Sequence, residues 1–318
     1  HRSLHARPVP RVGGIAIHVA WVLVLLAMLA VGYLPRAGLP VERLASIAGG
    51  LTLAFAVSVA DDRRSLAALP RFGVQLAAAV LLASTLGRDT LAQWPAALGG
   101  PFTSGPWLAL GASLLVLGTL WSMNLYNFMD GADGLAGGMA LFGFGGYALL
   151  AAPVAPGLAV VAAAIAGAAA GFLAFNHPPA RVFMGDAGSV PLGFLAAALG
   201  LAGIAADAWG WWLPPLLFLP FVADATLTLA RRALRGERVW EAHREHAYQK
   251  LILLGWTHRR NAIAWWTAMA ACAVLAFLLR RANPSVQWAG LAVACLVALA
   301  VLALIDSAWR RRRFRSTV

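Results

Sequence analysis

Ten runs of apolar residues divide this sequence, each close to the length needed to cross a hydrocarbon core. Their approximate limits are 13–34, 43–60, 71–87, 107–123, 134–150, 157–175, 188–206, 209–230, 261–279 and 286–305. Inside a bilayer such runs satisfy their backbone groups internally only as helices, so the expected fold is an all-α integral membrane protein. Composition agrees, since 61% of the 318 residues are hydrophobic and only 12% charged. Soluble domains are about a quarter charged. We expect one polytopic domain over 1–318, with the longest polar loop at 231–260. The chain opens at His1 in a polar, proline-containing stretch, and an eleventh span is expected ahead of it. Cys272 and Cys295 both lie within apolar runs, so no disulfide framework is indicated.

The net charge of +12 is almost entirely arginine. In a soluble chain it would suggest nucleic acid; in a membrane chain the positive-inside rule explains it without a nucleic-acid partner. Consecutive spans alternate direction, which sorts the connections into two sets. One holds the start of the chain, 61–70, 124–133, 176–187, 231–260 and the tail. It carries Arg2, Arg7, Arg11, Arg63, Arg64, Arg181, the arginines of 231–260 and the terminal run from Arg310. The other holds only Arg36, Arg43, Arg88, Arg280 and Arg281. The first set is therefore expected on the cytoplasmic side. Asp61, Asp62, Asp130, Asp133, Asp186 and Asp224 fall at span ends on that same side. Solubility would not require six carboxylates there, and ionisable groups at membrane depth are costly enough to suggest function.

The densest polar stretch is Asn124-Leu125-Tyr126-Asn127-Phe128-Met129-Asp130-Gly131-Ala132-Asp133-Gly134-Leu135. It supplies two amides and two carboxylates around Asp-Gly turn signals. Asp61-Asp62-Arg63-Arg64 closes the second span. Its adjacent carboxylates repel one another unless a cation intervenes, although a solvated charge cluster would read the same way. Gly185-Asp186-Ala187-Gly188-Ser189 opens the seventh span, where free N–H groups favour anions and Asp186 could hold a hard cation. A plain helix cap fits it too. His243-Arg244-Glu245-His246 spaces two histidines three apart, on one face if the stretch is helical. Phosphate contacts suit it better than zinc, and a surface helix on anionic headgroups is the alternative. His5-Ala6-Arg7-Pro8-Val9-Pro10-Arg11-Val12-Gly13-Gly14 reads as a stiff basic lip, for phosphate or simply for anchoring. His18 reads as a packed core histidine, and the small residues 167–171 as close helix packing.

Together, Pro8-Val9-Pro10-Arg11-Val12-Gly13-Gly14, Asp61-Asp62, the 124–135 stretch, Phe183-Met184-Gly185-Asp186-Ala187-Gly188-Ser189 and the His/Arg loop resemble the polyprenyl-phosphate N-acetylhexosamine-1-phosphate transferase superfamily, glycosyl transferase family 4. The resemblance implies a Mg²⁺-dependent enzyme, with Mn²⁺ as an alternative ion. A lipid phosphate, undecaprenyl phosphate in bacteria, would attack the β-phosphorus of a UDP-HexNAc and release UMP. It implies that Asp186 ligates the metal with Asp62, and that Asp61 and Asp62 deprotonate or orient the lipid phosphate. Asn127, Asp130 and Asp133 would line the nucleotide-sugar pocket, joined by Arg11 and Asn124, with Phe183 against the uracil. His243, Arg244 and His246 would contact the pyrophosphate or sugar.

The family usually has a further span before the proline-rich loop, which matches the eleventh span expected ahead of His1. The histidine loop differs from that of the muramoyl-pentapeptide enzymes. It is nearer the branch that starts O-antigen, lipopolysaccharide or other cell-wall and surface polysaccharides, using GlcNAc or a deoxy-HexNAc. The implied place is the bacterial inner membrane, multi-pass, with a cytoplasmic active site and a homodimer left open. The competing class is a transporter of a cation or lipid-linked sugar. Transporters favour mid-bilayer charges and repeated halves, and neither stands out here.

Overall fold

Apolar runs of this length become helices, and a computed structural model of the chain describes residues 9–37, 39–94, 104–239 and 243–315. His5, Arg7 and the rest of the first eight residues lie outside this set, as do 240–242. The helices are α1 (Gly13–Ala30), α2 (Tyr33–Arg36), α3 (Val41–Arg64), α4 (Ala68–Ala92), α5 (Gly105–Met129), α6 (Leu135–Ala151), α7 (Pro156–Asn176), α8 (Asp186–Ala205), α9 (Leu213–Leu217), α10 (Leu219–Leu234), α11 (Ala247–Leu253), α12 (His258–Leu279) and α13 (Pro284–Arg315). No strand occurs among the described residues. The chain is an all-α, multi-pass integral membrane protein.

Each of the ten apolar runs contains a helix, but not each is a full crossing. Among the described residues, eight helices are long and apolar enough to cross a membrane, namely α1, α3, α4, α5, α7, α8, α12 and α13. α6 is a shorter apolar helix. The run 209–230 is not one helix: it breaks at Phe218 between α9 and α10. Pro214, Pro215 and Pro220 sit in the first turns of these two pieces. Proline there lacks only an N–H that a helix start leaves unbonded, whereas inside one long helix it would delete a bond and clash.

α8 is the axis of the fold. Its apolar window is 89% buried, while α13's is only 11% buried. α8 packs against α1, α3, α4, α5, α6 and α7. Glycine makes the tightest approach possible, since a Cβ on Gly14 of α1 would lie 2.3 Å from the Gly188 Cα of α8. The start of α8 is thus fixed against the start of α1. His18, a turn further along α1, is buried and accepts the Trp21 indole N–H at 3.0 Å, the packed core role expected of it.

α13 faces mostly outward, yet Asp306 near its end ties it inward. Lys250 Nζ of α11 lies 2.6 Å from Asp306 Oδ1, and Arg231 of α10 pairs with Oδ2. Arg312 adds a bond to the Leu253 carbonyl at 2.8 Å. Removing the shared carboxylate leaves two cations facing each other in a poorly hydrated place. Asp306→Ala should therefore lower stability by about 3 kcal/mol and expose α13 to limited proteolysis in detergent. An unchanged melting temperature and cleavage pattern would show that the clasp holds nothing.

Candidate active site

One end of the bundle gathers the polar residues, and backbone pairing explains part of the gathering. The Phe183 N–H donates to the Pro10 carbonyl at 2.8 Å, while the Gly13 and Gly14 N–H groups donate to Phe183 and Met184 carbonyls at 3.0 and 2.9 Å. This zips the stretch before α1 onto the stretch before α8 and brings Arg11 against Gly185, the residue before α8. Gly185 takes φ of 74°, a left-handed turn that glycine reaches without strain, and α8 starts at the next residue.

The open N–H groups at that start are met from a distant helix. Asp62, at the end of α3, accepts the Asp186 N–H at 3.2 Å and the Ala187 N–H at 2.8 Å. Its neighbour Asp61 is buried, accepting the Leu66 N–H at 2.7 Å and Arg71 Nη1 at 2.5 Å. Arg71 also stands 3.8 Å from Asp186 Oδ2. So the paired carboxylates divide their work: one caps α8, the other anchors an arginine that reaches Asp186. Asn127 Nδ2 donates to Ser189 Oγ at 3.0 Å, which joins α5 to the same turn of α8.

A cavity of about 160 Å³ opens here. Arg11, Asn127, Asp130, Phe183, Asp186, His243 and His246 line it, together with Phe128, Asn176, Tyr248 and Gln249. Asp61, Asp62, Asn124, Asp133 and Arg244 are not in its wall. Asn124 donates to Gln75 Oε1 at 3.1 Å and to the Leu120 carbonyl at 2.8 Å. Asp133 is buried, accepts the Ala180 N–H at 2.9 Å and lies 3.4 Å from His258 Nδ1. It therefore fastens the loop before α8 to the turn after α5. Arg244 is exposed.

Asp130 carries the clearest electrostatic mark. Burial pushes its carboxyl up to about 7, with further upward pressure from Asp186 and Asp62, against a smaller lowering by Arg11 and the Gly185 N–H. Three acid groups thus crowd together, Asp130 and Asp186 in the cavity wall and Asp62 outside it. Among the described residues no group of three or more His, Cys, Asp or Glu side chains is already arranged as a metal cage.

The histidine loop departs from the helical reading. His246 has extended backbone (φ −62°, ψ 149°) and caps α11, which begins only at Ala247. His243 and His246 still come together, with ring centroids 4.8 Å apart, because the loop folds back on itself.

The sequence pattern of glycosyl transferase family 4 matches residues 44–204, about half of the chain. The chain belongs to glycosyl transferase family 4. It is 27% identical over 299 residues to a Bacillus subtilis (strain 168) protein named "Probable undecaprenyl-phosphate N-acetylglucosaminyl 1-phosphate transferase", covering 89% of this chain and 76% of that protein. It is 30% identical over 305 residues to the decaprenyl-phosphate N-acetylglucosaminephosphotransferase of Mycobacterium tuberculosis (strain ATCC 25618 / H37Rv), covering 85% and 72%. A phospho-N-acetylmuramoyl-pentapeptide-transferase of Microcystis aeruginosa (strain NIES-843 / IAM M-2473) is 38% identical over a shorter 159 residues, covering 48% and 44%. The matched family region holds Asp61, Asp62, Asn127, Asp130, Phe183 and Asp186. Arg11 and the histidine loop lie outside it and reach the cavity only through the fold.

Several residues of this family-4 cavity went unmarked in the sequence. Asn176 accepts the Gly134 N–H through Oδ1 and donates to the Val182 carbonyl, both at 2.8 Å. Tyr248 donates to the Phe128 carbonyl at 3.1 Å. Asn176 ends an apolar helix, where a lone amide is a weak mark. Arg71 carries no local mark in so arginine-rich a chain, and only its partners, Asp61 and Asp186, distinguish it.

Proposed function

We propose that this chain transfers an N-acetylhexosamine 1-phosphate, GlcNAc or a deoxy-HexNAc, from a UDP-sugar to undecaprenyl phosphate, with release of UMP. The reaction takes place at the cytoplasmic face of a bacterial inner membrane and begins a lipopolysaccharide or other surface polysaccharide. The observation that carries this reading is the cavity itself, where Asp130 and Asp186 face Arg11, His243 and His246 at the C-terminal end of α5 and the N-terminal end of α8. Phosphoryl transfer asks little covalent chemistry of a protein and depends on positioning and charge neutralisation. The relatives' names, all transferases on polyprenyl phosphates or phospho-muramoyl substrates, support it.

In this reading an oxygen of the lipid phosphate bonds to the β-phosphorus of the UDP-sugar, and the bond from that phosphorus to the UMP oxygen breaks. Arg11, His243 and His246 bind phosphate oxygens, and Phe183 lies against the uracil. Asp61 holds Arg71 toward Asp186, and Asp62 holds the α8 N-terminus in place. The donor set suits Mg²⁺, with Mn²⁺ as the alternative, because such ions are commonly held by one or two carboxylates plus substrate phosphates. Asp186 and Asp130 would hold it, and the crowding that raises Asp130 is what a cation would relieve. When bound, the ion supplies charge neutralisation between two anionic reactants.

Two experiments follow. UMP release should require UDP-HexNAc and undecaprenyl phosphate together, and should stop with EDTA and return with Mg²⁺. Flux of a sugar or cation in vesicles without UMP release would instead favour a transporter. The second uses pH. Asp130 is raised in the folded state from 3.8 to about 7, so its ionisation opposes folding increasingly as pH rises through that window. Metal-free wild type should lose melting temperature from pH 5 to pH 8 relative to Asp130→Asn, and Mg²⁺ should close the gap. Parallel curves for the two proteins would contradict the placement of Asp130.

A further inference from the structure

We propose that Asp224 of α10 is a positioning residue that orients the His246 imidazole toward the phosphate groups, an inference that rests on the transfer reading above. Asp224 and His246 are 1% and 2% exposed. Asp224 is not in the cavity wall, whereas His246 is. The two Asp224 oxygens each lie 2.9 Å from the Ala247 N–H, and Thr228 Oγ1 donates to Oδ1 at 3.1 Å. His246 Nδ1 lies 3.5 Å from that same Oδ1 and has no hydrogen-bond partner of its own.

Two rings restrict the imidazole further. It stacks on Tyr248 with centroids 5.9 Å apart at 10°, and on Phe128 at 6.3 Å and 23°. The His246 N–H donates to Gln249 Oε1 at 3.2 Å, which fixes the backbone beneath the ring. A helix start needs only an acceptor, which a neutral side chain can provide. A buried carboxylate beside a histidine nitrogen does more: it favours a proton on Nδ1 and so selects the tautomer. With Nδ1–H turned to Asp224, a second proton can enter only at Nε2. There the ring becomes a charge-assisted donor to a phosphate oxygen.

The test is a double-mutant cycle on UMP release, with Asp224→Asn, His246→Gln and the pair. Asn keeps an oxygen for the Ala247 N–H and removes the charge. Asp224→Asn should lower kcat/KM about 10- to 100-fold, and adding it to His246→Gln should cost nothing further. Effects that multiply in the double variant, or an Asp224→Asn enzyme within twofold of wild type, would overturn the proposal. A merely structural cap would give multiplying losses together with a lower melting temperature. If Asp224→Asn does not insert stably, Thr228→Val takes its place in the cycle, with an expected loss of about threefold that must likewise vanish in the His246→Gln background.

Nitrogen-15 spectra of histidine-labelled protein give a readout independent of turnover. His246 should carry its proton on Nδ1 in wild type and lose that preference in Asp224→Asn. No change in the tautomer would refute the inference even if transfer proceeds. A wild type that shows the tautomer but releases no UMP would refute the transfer reading while leaving the orientation standing.

Discussion

Asp186→Asn should lower UMP release by about 10²- to 10³-fold while leaving insertion and melting temperature close to wild type. The substitution keeps shape and removes one negative charge from the cavity wall. In the folded chain Asp186 meets Arg71 at 3.8 Å at the head of α8, and its backbone is capped separately by Asp62. Because the cap uses the Asp186 N–H rather than its carboxylate, α8 should start in the same place in the variant. Loss of rate without loss of fold would then report on the carboxylate itself. Raising Mg²⁺ should recover part of the rate if Asp186 acts through the ion. Turnover within threefold of wild type would remove Asp186 from the chemistry.

Asp62→Ala should have the second large effect, and it should appear in stability as well as rate. Two N–H groups at the start of the most buried helix, those of Asp186 and Ala187, lose their only side-chain acceptor among the described residues. Each partly buried donor left without a partner costs about 1–3 kcal/mol. We therefore expect a loss of about 2–6 kcal/mol and transfer reduced by at least about 100-fold, since the α8 turn that carries Asp186 is released. Asp62→Asn keeps one carbonyl oxygen and should recover much of the stability but not all of the rate. The metal-free protein separates two roles for this residue. A ligand alone would leave metal-free melting unchanged on substitution, whereas a cap lowers it whether or not Mg²⁺ is present.

Much of this architecture can be read along the chain because the bilayer makes strict demands. Runs such as 13–34 and 157–175 have no alternative to helix inside lipid, and α1 forms within the first while α7 spans the second. The gathering of acids followed from the arginine asymmetry, since alternating spans place 61–62, 124–133 and 186 at the same ends. The break in 209–230 was written in Pro214, Pro215 and Pro220, but hydropathy averages over prolines and does not register it.

What could not be read is pairing between distant segments. Nothing local in Asp61-Asp62 tells which acid will cap α8 and which will hold Arg71, because their partners lie elsewhere in the chain. The family resemblance put Asp133 in the pocket; its contacts with Ala180 and His258 leave it outside the cavity wall. Asp306 sits near the polar end of a mostly exposed helix, and only the positions of Lys250 and Arg231 give it a role. The histidine loop misled for a related reason. Three-residue spacing suggests a helix face, but the capping interactions of Asp224 and Gln249 start the helix one residue after His246.

Asp130 at the end of α5 and Asp186 at the start of α8 meet Arg11, His243 and His246 at a single cavity, and what that cavity makes decides whether these residues carry out transfer. The most direct test incubates purified protein with Mg²⁺, undecaprenyl phosphate and a panel of UDP-sugars, then weighs the lipid product. A lipid pyrophosphate bearing one HexNAc, formed in equal amount to UMP and absent with Asp186→Asn, is the predicted result. Intact UDP-sugar and unmodified lipid phosphate across the whole panel, from a protein that is folded and binds Mg²⁺, would contradict it.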